Sequence, residues 1–226
     1  MPFRSKRYKK AADGATSDPQ PLAEAVGLVK SRASAKFTES VDLAMRLNID
    51  TRKADQQVRG SFSLPHGTGR DVRVVVFVDD PEKVAGALEA GALKAGGEDL
   101  VAEIQGGFMD FDVAIATPKM MRVVGKLGRV LGPRGLMPAP KAGTVTDDVV
   151  TAVKEFKAGK IEFRADSAGN VHVRVGTVEF EPQQLEENIS AVVRHITDTR
   201  PSSVKGDFVR GVSISSTMGP GVRVLV

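Results

Sequence analysis

The sequence predicts a protein of mixed α and β structure, in which an α+β terminal domain formed by both chain ends carries an inserted α/β domain. Three observations support this class. Residues 41–49 alternate strictly between apolar and other side chains, as in a strand with one buried face. The middle of the chain has short continuous apolar runs between helical patterns. Alternating patterns return from Lys160 onward.

The first part of the chain begins with a basic tail. MPFRSKRYKK has five cations and no acid, which suits a polyanion, and a frayed terminus is the alternative. The linker AADGATSDPQP follows. Apolar residues at helical spacing then predict a helix over LAEAVGLVKSRASA. Residues 41–49 form the next predicted element, a strand, and Val58, Phe62 and Leu64 indicate a second strand.

The middle of the chain predicts a small parallel sheet covered by helices, an α/β domain of Rossmann-like, three-layer type. The runs VRVVVFV (72–78) and DVAIA (112–116) are typical of strands buried on both faces. Helices are predicted over PEKVAGALEAG, EDLVAEIQGG, TPKMMRVVGKLGRVL and TDDVVTAVKEFKAG. Thr117 and Thr146 are the expected N-caps of the last two helices, and Gly159 is expected to end the fourth.

The last part predicts a hairpin, a helix and two strands. KIEFRA and VHVRVG flank DSAGN, EPQQLEENISAVVRHIT is amphipathic, and VRGVSISS and VRVLV surround TMGPG. The final 67 residues alone would form a meagre core, so insertion is preferred over three consecutive pieces. The predicted domains are 1–67 with 159–226, sharing one sheet, and the inserted 68–158.

One stretch stands out for its charge. GRVLGPRGLMPAPKAGT combines glycines, prolines and cations, and no acid occurs between Asp112 and Asp147. Proline fixes φ and glycine permits positive φ, so this loop has a defined shape. Phosphate is the first partner that a shaped, acid-free, positive loop suggests. The interval contains six cations: Lys119, Arg122, Lys126, Arg129, Arg134 and Lys141.

The case for an enzyme is thin. Cysteine is absent, which excludes disulfides and thiolate chemistry and fits a cytoplasmic protein. No apolar run is long enough to span a membrane. Gly125-Lys126 precedes Leu127, where a P-loop needs Ser or Thr, and neither buried strand is followed by the dinucleotide fingerprint. Asp110 and Asp112 are expected at a solvated strand entrance. The three histidines lack ligand spacing and are expected to be structural: His66, His172 and His195.

RNA binding has better support from the sequence. An aromatic platform on which bases stack is not expected. The chain has no tryptophan and one tyrosine, and most phenylalanines fit core positions. A protein that reads shape and backbone would use cations together with hydroxyl and main-chain groups. SISSTMGPGVRV offers Ser213, Ser215, Ser216 and Thr217, with Gly219 and Gly221 allowing close approach. An ordinary β-turn is the alternative for this stretch.

Four stretches together resemble the bacterial ribosomal protein L-one family: GKLGRVLGPRGLMPAPKAGT, TMGP, AKFTESV and DQQVRGSFSLPHGTG. The resemblance covers roughly residues 5 to 226 and implies a discontinuous α+β domain with an α/β insertion near 68–158. It implies a non-enzymatic component of the cytoplasmic large ribosomal subunit, monomeric when free, without cofactor, metal or membrane. The implied partners are the ribosomal RNA of the stalk, the tRNA that leaves the exit site, and the protein's own messenger RNA, whose translation it represses.

The resemblance also implies which residues contact RNA. These are Lys36, Phe37, Glu39, Ser40, Arg164, Asp166, His172, Ser216, Thr217, Met218 and Gly219. The family's signature loop corresponds to Gly125, Lys126, Gly128, Arg129, Gly132, Pro133, Arg134, Gly135 and Pro138. Thr177 stands where the family usually has lysine, so one phosphate contact is not expected. Thr217→Val is expected to keep the fold and to weaken RNA binding by roughly 1–3 kcal/mol.

Overall fold

The computed structural model describes residues 5–15 and 18–225. The first four residues of the basic tail therefore lie outside the described residues, and Lys6–Ala11 forms a short helix. The chain divides into two compact units. Unit 1 comprises Met1–Arg70 and Ile161–Val226, and unit 2 comprises Asp71–Lys160. The sequence placed the two junctions at 67/68 and 158/159, two or three residues earlier in the chain.

The described residues form eight helices and nine strands. The helices are α1 (Lys6–Ala11), α2 (Leu22–Arg32), α3 (Pro81–Glu89), α4 (Glu98–Gln105), α5 (Met121–Val124), α6 (Gly128–Leu131), α7 (Val149–Ala158) and α8 (Pro182–Asp198). The strands are β1 (Ser40–Leu47), β2 (Arg59–Ser63), β3 (Val74–Phe77), β4 (Lys94–Gly96), β5 (Val113–Ala116), β6 (Lys160–Arg164), β7 (Asn170–Thr177), β8 (Val209–Ser216) and β9 (Val222–Val224). Single 3₁₀ turns occur at Ala54–Gln56, Gly125–Leu127 and Pro140–Ala142.

Unit 1 is built on a four-stranded sheet in the order β7-β1-β8-β9. β1 is antiparallel to both β7 and β8, so segments from the two ends of the chain share one sheet. Its alternating sequence buries Val41, Leu43, Met45 and Leu47 on one face. On that face the apolar residues of α2 and α8 complete a single hydrophobic core. The residues that alternate with these core residues lie on the opposite face of the sheet.

A second, two-stranded sheet of unit 1 pairs β2 with β6. The sequence had predicted that the strand starting at Lys160 forms a hairpin with the strand that became β7, and this is wrong. The chain does reverse between them: Ala165 and Val171 form an antiparallel bridge, Asp166 N donates to Asn170 O, and Gly169 at the tip has φ +81°. Beyond this turn the two strands separate, and β7 pairs with β1.

Unit 2 contains a three-stranded parallel sheet in the order β4-β3-β5. Alternate residues of β3 enter two separate cores, Val75 and Phe77 on one side and Val74 and Val76 on the other. α4, α5 and α6 cover the first side, and α3 and α7 cover the second. The sequence missed β4, because its three residues, Lys-Ala-Gly, carry no apolar run.

Two predicted helix starts in unit 2 are wrong. The segment after β5 begins helical structure at Met121 rather than Pro118, and it consists of α5, a 3₁₀ turn and α6 in succession. Thr117 makes no cap and is buried. α7 is capped by Asp148, whose carboxylate accepts a hydrogen bond from Thr151 N, while Thr146 Oγ1 accepts one from Asp148 N. Gly159 ends α7 with φ +110°, as predicted.

Candidate nucleic-acid interface

A buried carboxylate joins two loops at one end of the unit 1 sheet. Glu39 precedes β1 and is 2% exposed. Its Oε1 accepts a hydrogen bond from Ala35 N at 2.8 Å, and its Oε2 accepts one from Met218 N at 2.9 Å. Ala35 lies in the loop after α2, and Met218 lies in the turn between β8 and β9. The carboxylate therefore holds the 33–38 loop beside the 217–219 turn.

The same bonds control the ionisation of Glu39. Burial alone would raise the pKa of its carboxyl group, because a charge loses hydration in a protein interior. Hydrogen bonds to the carboxylate, led by those from the N–H groups of Ala35 and Met218, together outweigh this effect, and the pKa lies below the ordinary value of 4.5. Glu39 is therefore ionised at neutral pH. Its side chain faces protein groups and not solvent, so Glu39 stabilises the two loops and does not itself contact a partner.

The 217–219 turn has further bonds to β1. Thr217 N donates to Ser40 O at 3.0 Å, and Ser40 N donates to Thr217 Oγ1 at 3.0 Å. Gly219 closes the turn by donating from its N to Ser216 O. A Cβ atom on Gly219 would lie 2.4 Å from Ser216 Oγ, so any larger residue there would force the Ser216 side chain to move. Ser216 itself is 3% exposed, so its hydroxyl is not on the surface.

The clamped loops present apolar side chains to solvent. Phe37 is 56% exposed and Met218 is 43% exposed, although both are large and hydrophobic. Lys36 is exposed beside Phe37, and a groove of about 450 Å³ runs along this loop to Glu179. Exposed apolar side chains next to a cation, on loops fixed from within, are typical of a surface that contacts a partner.

The outward face of the unit 1 sheet is polar, and we call it the open face. Its members are Ser40, Asp42, Ala44, Arg46, His172, Arg174, Gly211, Ser213, Ser215 and Arg223, all half-buried or exposed. Asp42 lies between Arg174 and Ser215 across the strands. Arg174 Nε is 3.9 Å from Asp42 Oδ1. Burial raises the pKa of Asp42, and the nearby Arg174 and His172 oppose that shift.

Asp166 shapes the turn that leads to the open face. Its Oδ1 accepts hydrogen bonds from Ala168 N and Asn170 N, both at 2.8 Å, and its Oδ2 accepts one from Asn170 Nδ2. The bond from Asn170 N is the largest cause that lowers the pKa of Asp166. His172 Nε2 lies 3.8 Å from Asp166 Oδ2, with the imidazole largely exposed. Arg164, at the end of β6, is exposed too.

The structure thus divides the predicted RNA contacts into two kinds. Lys36, Phe37, Met218, Arg164 and His172 expose side chains that can meet a partner. Glu39 and Ser216 are interior, Asp166 uses its carboxylate for the turn, and Thr217 uses its hydroxyl on Ser40. Sequence reasoning could not separate the two kinds, because it had no measure of burial. It also missed Ala35, whose contribution is a main-chain N–H.

The signature loop lies in unit 2 and has a fixed inner side. Val124, Leu127 and Leu131 are fully buried in the core beside α4. Gly135 adopts φ +71°, and a Cβ on Gly132 would lie 2.5 Å from Gly128 O, so both turns need glycine. The loop is therefore a shaped element anchored by its apolar residues, as its composition predicted.

The outer side of that loop is positive. All six predicted cations are exposed, and none of them forms an ion pair with another described residue. Uncompensated cations on a rigid surface attract polyanions over a distance set by the ionic strength.

The alternative enzymatic residues have structural roles. Arg73 Nε donates to Asp112 at 3.0 Å, Arg73 also pairs with Asp110, and these two carboxylates raise the pKa of Arg73. His195 stacks on Phe62 with ring centroids 4.6 Å apart, and His66 pairs with Glu187. Within residues 5–15 and 18–225, no group of three or more His, Asp or Glu side chains is placed to hold a metal.

A crevice of about 400 Å³ opens at the carboxyl ends of the unit 2 strands. This is where α/β sheets commonly bind nucleotides. Its lining comprises Asp79, Asp80, Lys83, Glu98, Thr117, Lys119 and Asp147, with apolar side chains beneath. Four carboxylates against two ammonium groups would repel a triphosphate. No helix in the described part of the chain is long and apolar enough to cross a bilayer.

Taken together, the fold and the site define a mixed α/β protein whose surface suits an anionic partner. Residues 29–220 match the model of the Ribosomal protein L1p/L10e family, and the chain belongs to that family. The match confirms the family predicted from the four sequence stretches. The family consists of ribosomal proteins and not of enzymes, so the chain is a ribosomal protein.

Three relatives support the same assignment over almost the full chain. Each is described as large ribosomal subunit protein uL1. The protein of Thermosipho melanesiensis is 53% identical over 228 residues, covering 99% of this chain and 97% of the relative. That of Hydrogenovibrio crunogenus is 56% identical over 199 residues, covering 88% and 86%. That of Cutibacterium acnes is 53% identical over 222 residues, covering 98% and 95%.

Proposed function

We propose that this protein is a structural constituent of the cytoplasmic large ribosomal subunit and binds the ribosomal RNA stalk through unit 1. Its relatives carry the name of a large-subunit protein, and family membership supports the same site of action. The observation that carries the proposal is the Glu39 clamp. It ties together the two loops that carry the exposed side chains of Phe37 and Met218, at one end of the open face.

The chemistry of this surface suits folded RNA. Lys36, Arg164 and the open-face arginines supply attraction for phosphates, and Ser213 and Ser215 supply hydroxyls for ribose. Phe37 can pack against an unstacked base or sugar, which a surface of charges alone cannot do. Phosphate contacts give affinity, and the shaped apolar end selects the RNA that fits it.

The direct test compares binding to a transcript of the protein's own large-subunit stalk with binding to an unrelated RNA duplex. We expect stalk binding to survive rising salt better than duplex binding, because only the stalk gains contacts beyond phosphate. Equal, steeply salt-dependent binding to both RNAs would contradict the proposal. It would mean that the protein binds RNA only through nonspecific electrostatic attraction.

A pair of double variants tests which of the two units selects the stalk. Phe37→Ala with Met218→Ala should weaken stalk binding by about 1–3 kcal/mol, the range of one base-stacking contact. The matched control replaces two equally exposed apolar residues of unit 2, Leu88→Ala with Leu93→Ala. An equal loss in both double variants would place the selective contacts outside the clamped loops.

We further propose two other RNA partners. Contact with exit-site tRNA during its release would use the basic outer side of the signature loop, which carries exposed cations without ion pairs among the described residues. Translational repression would place the protein's own messenger RNA on the same surface as the stalk. The two RNAs must then compete: excess messenger RNA should displace the stalk completely. Simultaneous binding of both would exclude a shared surface.

A nucleotide-dependent enzyme is the rival function. It would use the crevice at the strand ends of unit 2, whose carboxylates disfavour it. Titration calorimetry with ATP and GTP distinguishes the two functions, and we expect no binding heat at millimolar nucleotide.

A further inference from the structure

Three arginines line one cleft in unit 1, beside the Asp166 turn. The cleft has a volume of about 370 Å³ and lies between residues 51–59 and residues 164–167. Arg52 and Arg59 come from the first segment, and Arg164 comes from the second. All three side chains are exposed. Neither Arg52 nor Arg59 is among the residues for which the sequence predicted RNA contact.

Bonds between the two segments hold the cleft in shape. Ala165 N donates to Val58 O at 2.9 Å, and Thr51 Oγ1 donates to Ser167 O at 2.9 Å. The first bond places Arg59 and Arg164 on adjacent strands, one residue from the bonded pair. The walls are thus tied at both ends, so that an incoming ligand does not have to order them.

The charge in this cleft is not balanced from within. No guanidinium of Arg52, Arg59 or Arg164 forms an ion pair with another residue in the described ranges. Asp166, the one lining carboxylate, is already hydrogen-bonded by Ala168 and Asn170.

Two neighbouring carboxylates do not change this balance. Asp50 Oδ1 accepts a hydrogen bond from the main-chain N–H of Arg52 and not from its guanidinium. Glu162, two residues before Arg164 on β6, attracts the Arg164 guanidinium, but the two side chains form no ion pair within the described ranges. Like charges held together in this way favour an anion between them.

We propose that this cleft binds backbone phosphate groups of RNA and extends the interface from Arg164 to Arg59 and Arg52. The proposal rests on the RNA-binding function proposed above and adds a phosphate-binding site to it. Guanidinium groups suit the task, because their fork of N–H donors matches phosphate oxygens in two-point contacts. Asp166 lines the cleft and lies 3.8 Å from His172 of the open face, so the cleft is next to that face.

The experiment measures stalk binding of the full chain at several salt concentrations. The test variant is Arg52→Gln with Arg59→Gln. The matched control is Arg194→Gln with Lys205→Gln, which removes two exposed charges from unit 1 outside the cleft, on α8 and in the loop that follows it. All four side chains are exposed, so circular dichroism should show the same melting temperature for both variants.

The expected result is a loss of roughly tenfold in stalk affinity near physiological salt, with a salt slope shallower by about two, one for each phosphate contact removed. The control should change the affinity by less than about threefold, through long-range attraction alone. A test variant that loses no more than the control overturns the cleft while leaving the proposed function intact. Wild-type protein that does not prefer the stalk to an unrelated duplex overturns both.

A second arm separates RNA from free anions as the ligand. Inorganic phosphate is titrated into the protein at constant ionic strength, and the amide resonances of residues 51–59 and 164–167 are followed. Weak perturbation at tens of millimolar, reversed by stalk RNA, supports a site for backbone phosphate. Tight phosphate binding that stalk RNA does not displace would make the cleft a free-anion site and would overturn the proposal.

Discussion

The two sheets of this molecule are buried in different ways. In unit 1, β1 alternates between core residues and residues on the open face, so one side of the sheet remains available. In unit 2, all four residues of β3 are fully buried, because helices cover both sides. An antiparallel sheet can therefore offer its strands as a binding surface. A covered parallel sheet can offer only its strand ends and loops.

The two candidate RNA surfaces follow from that difference. Unit 1 combines the open face with loops that a buried carboxylate holds together. Unit 2 has an anchored loop whose exposed side is simply cationic. The surface of unit 1 can select an RNA by its shape, whereas the surface of unit 2 can attract any RNA by charge. Selective binding should therefore depend on unit 1, and general attraction to RNA should depend on both units.

The largest expected effect separates stability from binding. Phe77→Ala removes a fully buried ring from unit 2 and should lower the free energy of unfolding by about 3–5 kcal/mol. Stalk affinity, measured well below the melting temperature, should stay within about twofold of wild type, because unit 1 is unaltered. Urea unfolding and a filter-binding assay measure the two quantities. A fall in affinity that tracks the fall in stability would show that the units do not bind separately.

Glu39→Ala should give the opposite pattern. It removes the acceptor of two main-chain N–H groups and should cost about 2 kcal/mol of folding free energy, less than Phe77→Ala. Stalk affinity should nevertheless fall at least tenfold, because Phe37 and Met218 lose their fixed spacing. Glu179→Ala is the control, since that exposed carboxylate accepts a hydrogen bond from the side chain of Thr38. Full stalk affinity in the Glu39 variant would contradict the clamp.

The sequence predicted those features that depend on local periodicity. The alternation of β1 and the apolar run of β3 are visible in the chain, and so are the helical spacing of α2 and α8 and the glycine that ends α7. Features that depend on tertiary contacts were missed or wrong. β4 forms because β3 offers it a partner, and β6 pairs with β2, which lies about 100 residues earlier in the chain, rather than with the adjacent β7.

In the candidate site too, the sequence predicted some features, and others became visible only in the structure. Motifs located the segments 35–41 and 217–220, because a resemblance identifies positions in the sequence. They could not show that Glu39 is 2% exposed, or that Thr217 already bonds Ser40. Burial and hydrogen bonding are properties of segments far apart in the chain. A list of residues matched by sequence therefore combines residues that contact a partner with residues that hold those contact residues in position.

Thr217 shows why this distinction affects the choice of variant. The sequence predicted that Thr217→Val keeps the fold and weakens only RNA binding. The structure gives the hydroxyl an internal role as acceptor for Ser40 N at 3.0 Å, so valine should also cost about 1 kcal/mol of stability. Thr217→Ser keeps the hydroxyl and should restore both stability and affinity. Urea unfolding and stalk binding of the two variants would refute this role if serine behaved like valine.

The smallest effect concerns pH and acts through the carboxylate of Glu39. The pKa of Glu39 is lowered in the folded protein, so its contribution to stability is complete above the unfolded value of about 4.5 and is lost as the pH falls through the folded value. Below pH 4.5, preference for the stalk over an unrelated duplex should therefore decline, while total attraction to RNA stays constant or rises. Glu39→Gln should have a weaker preference at neutral pH that changes less on acidification. A wild-type preference that persists through this range while the protein stays folded would show that the ionised clamp does not set the geometry of the interface.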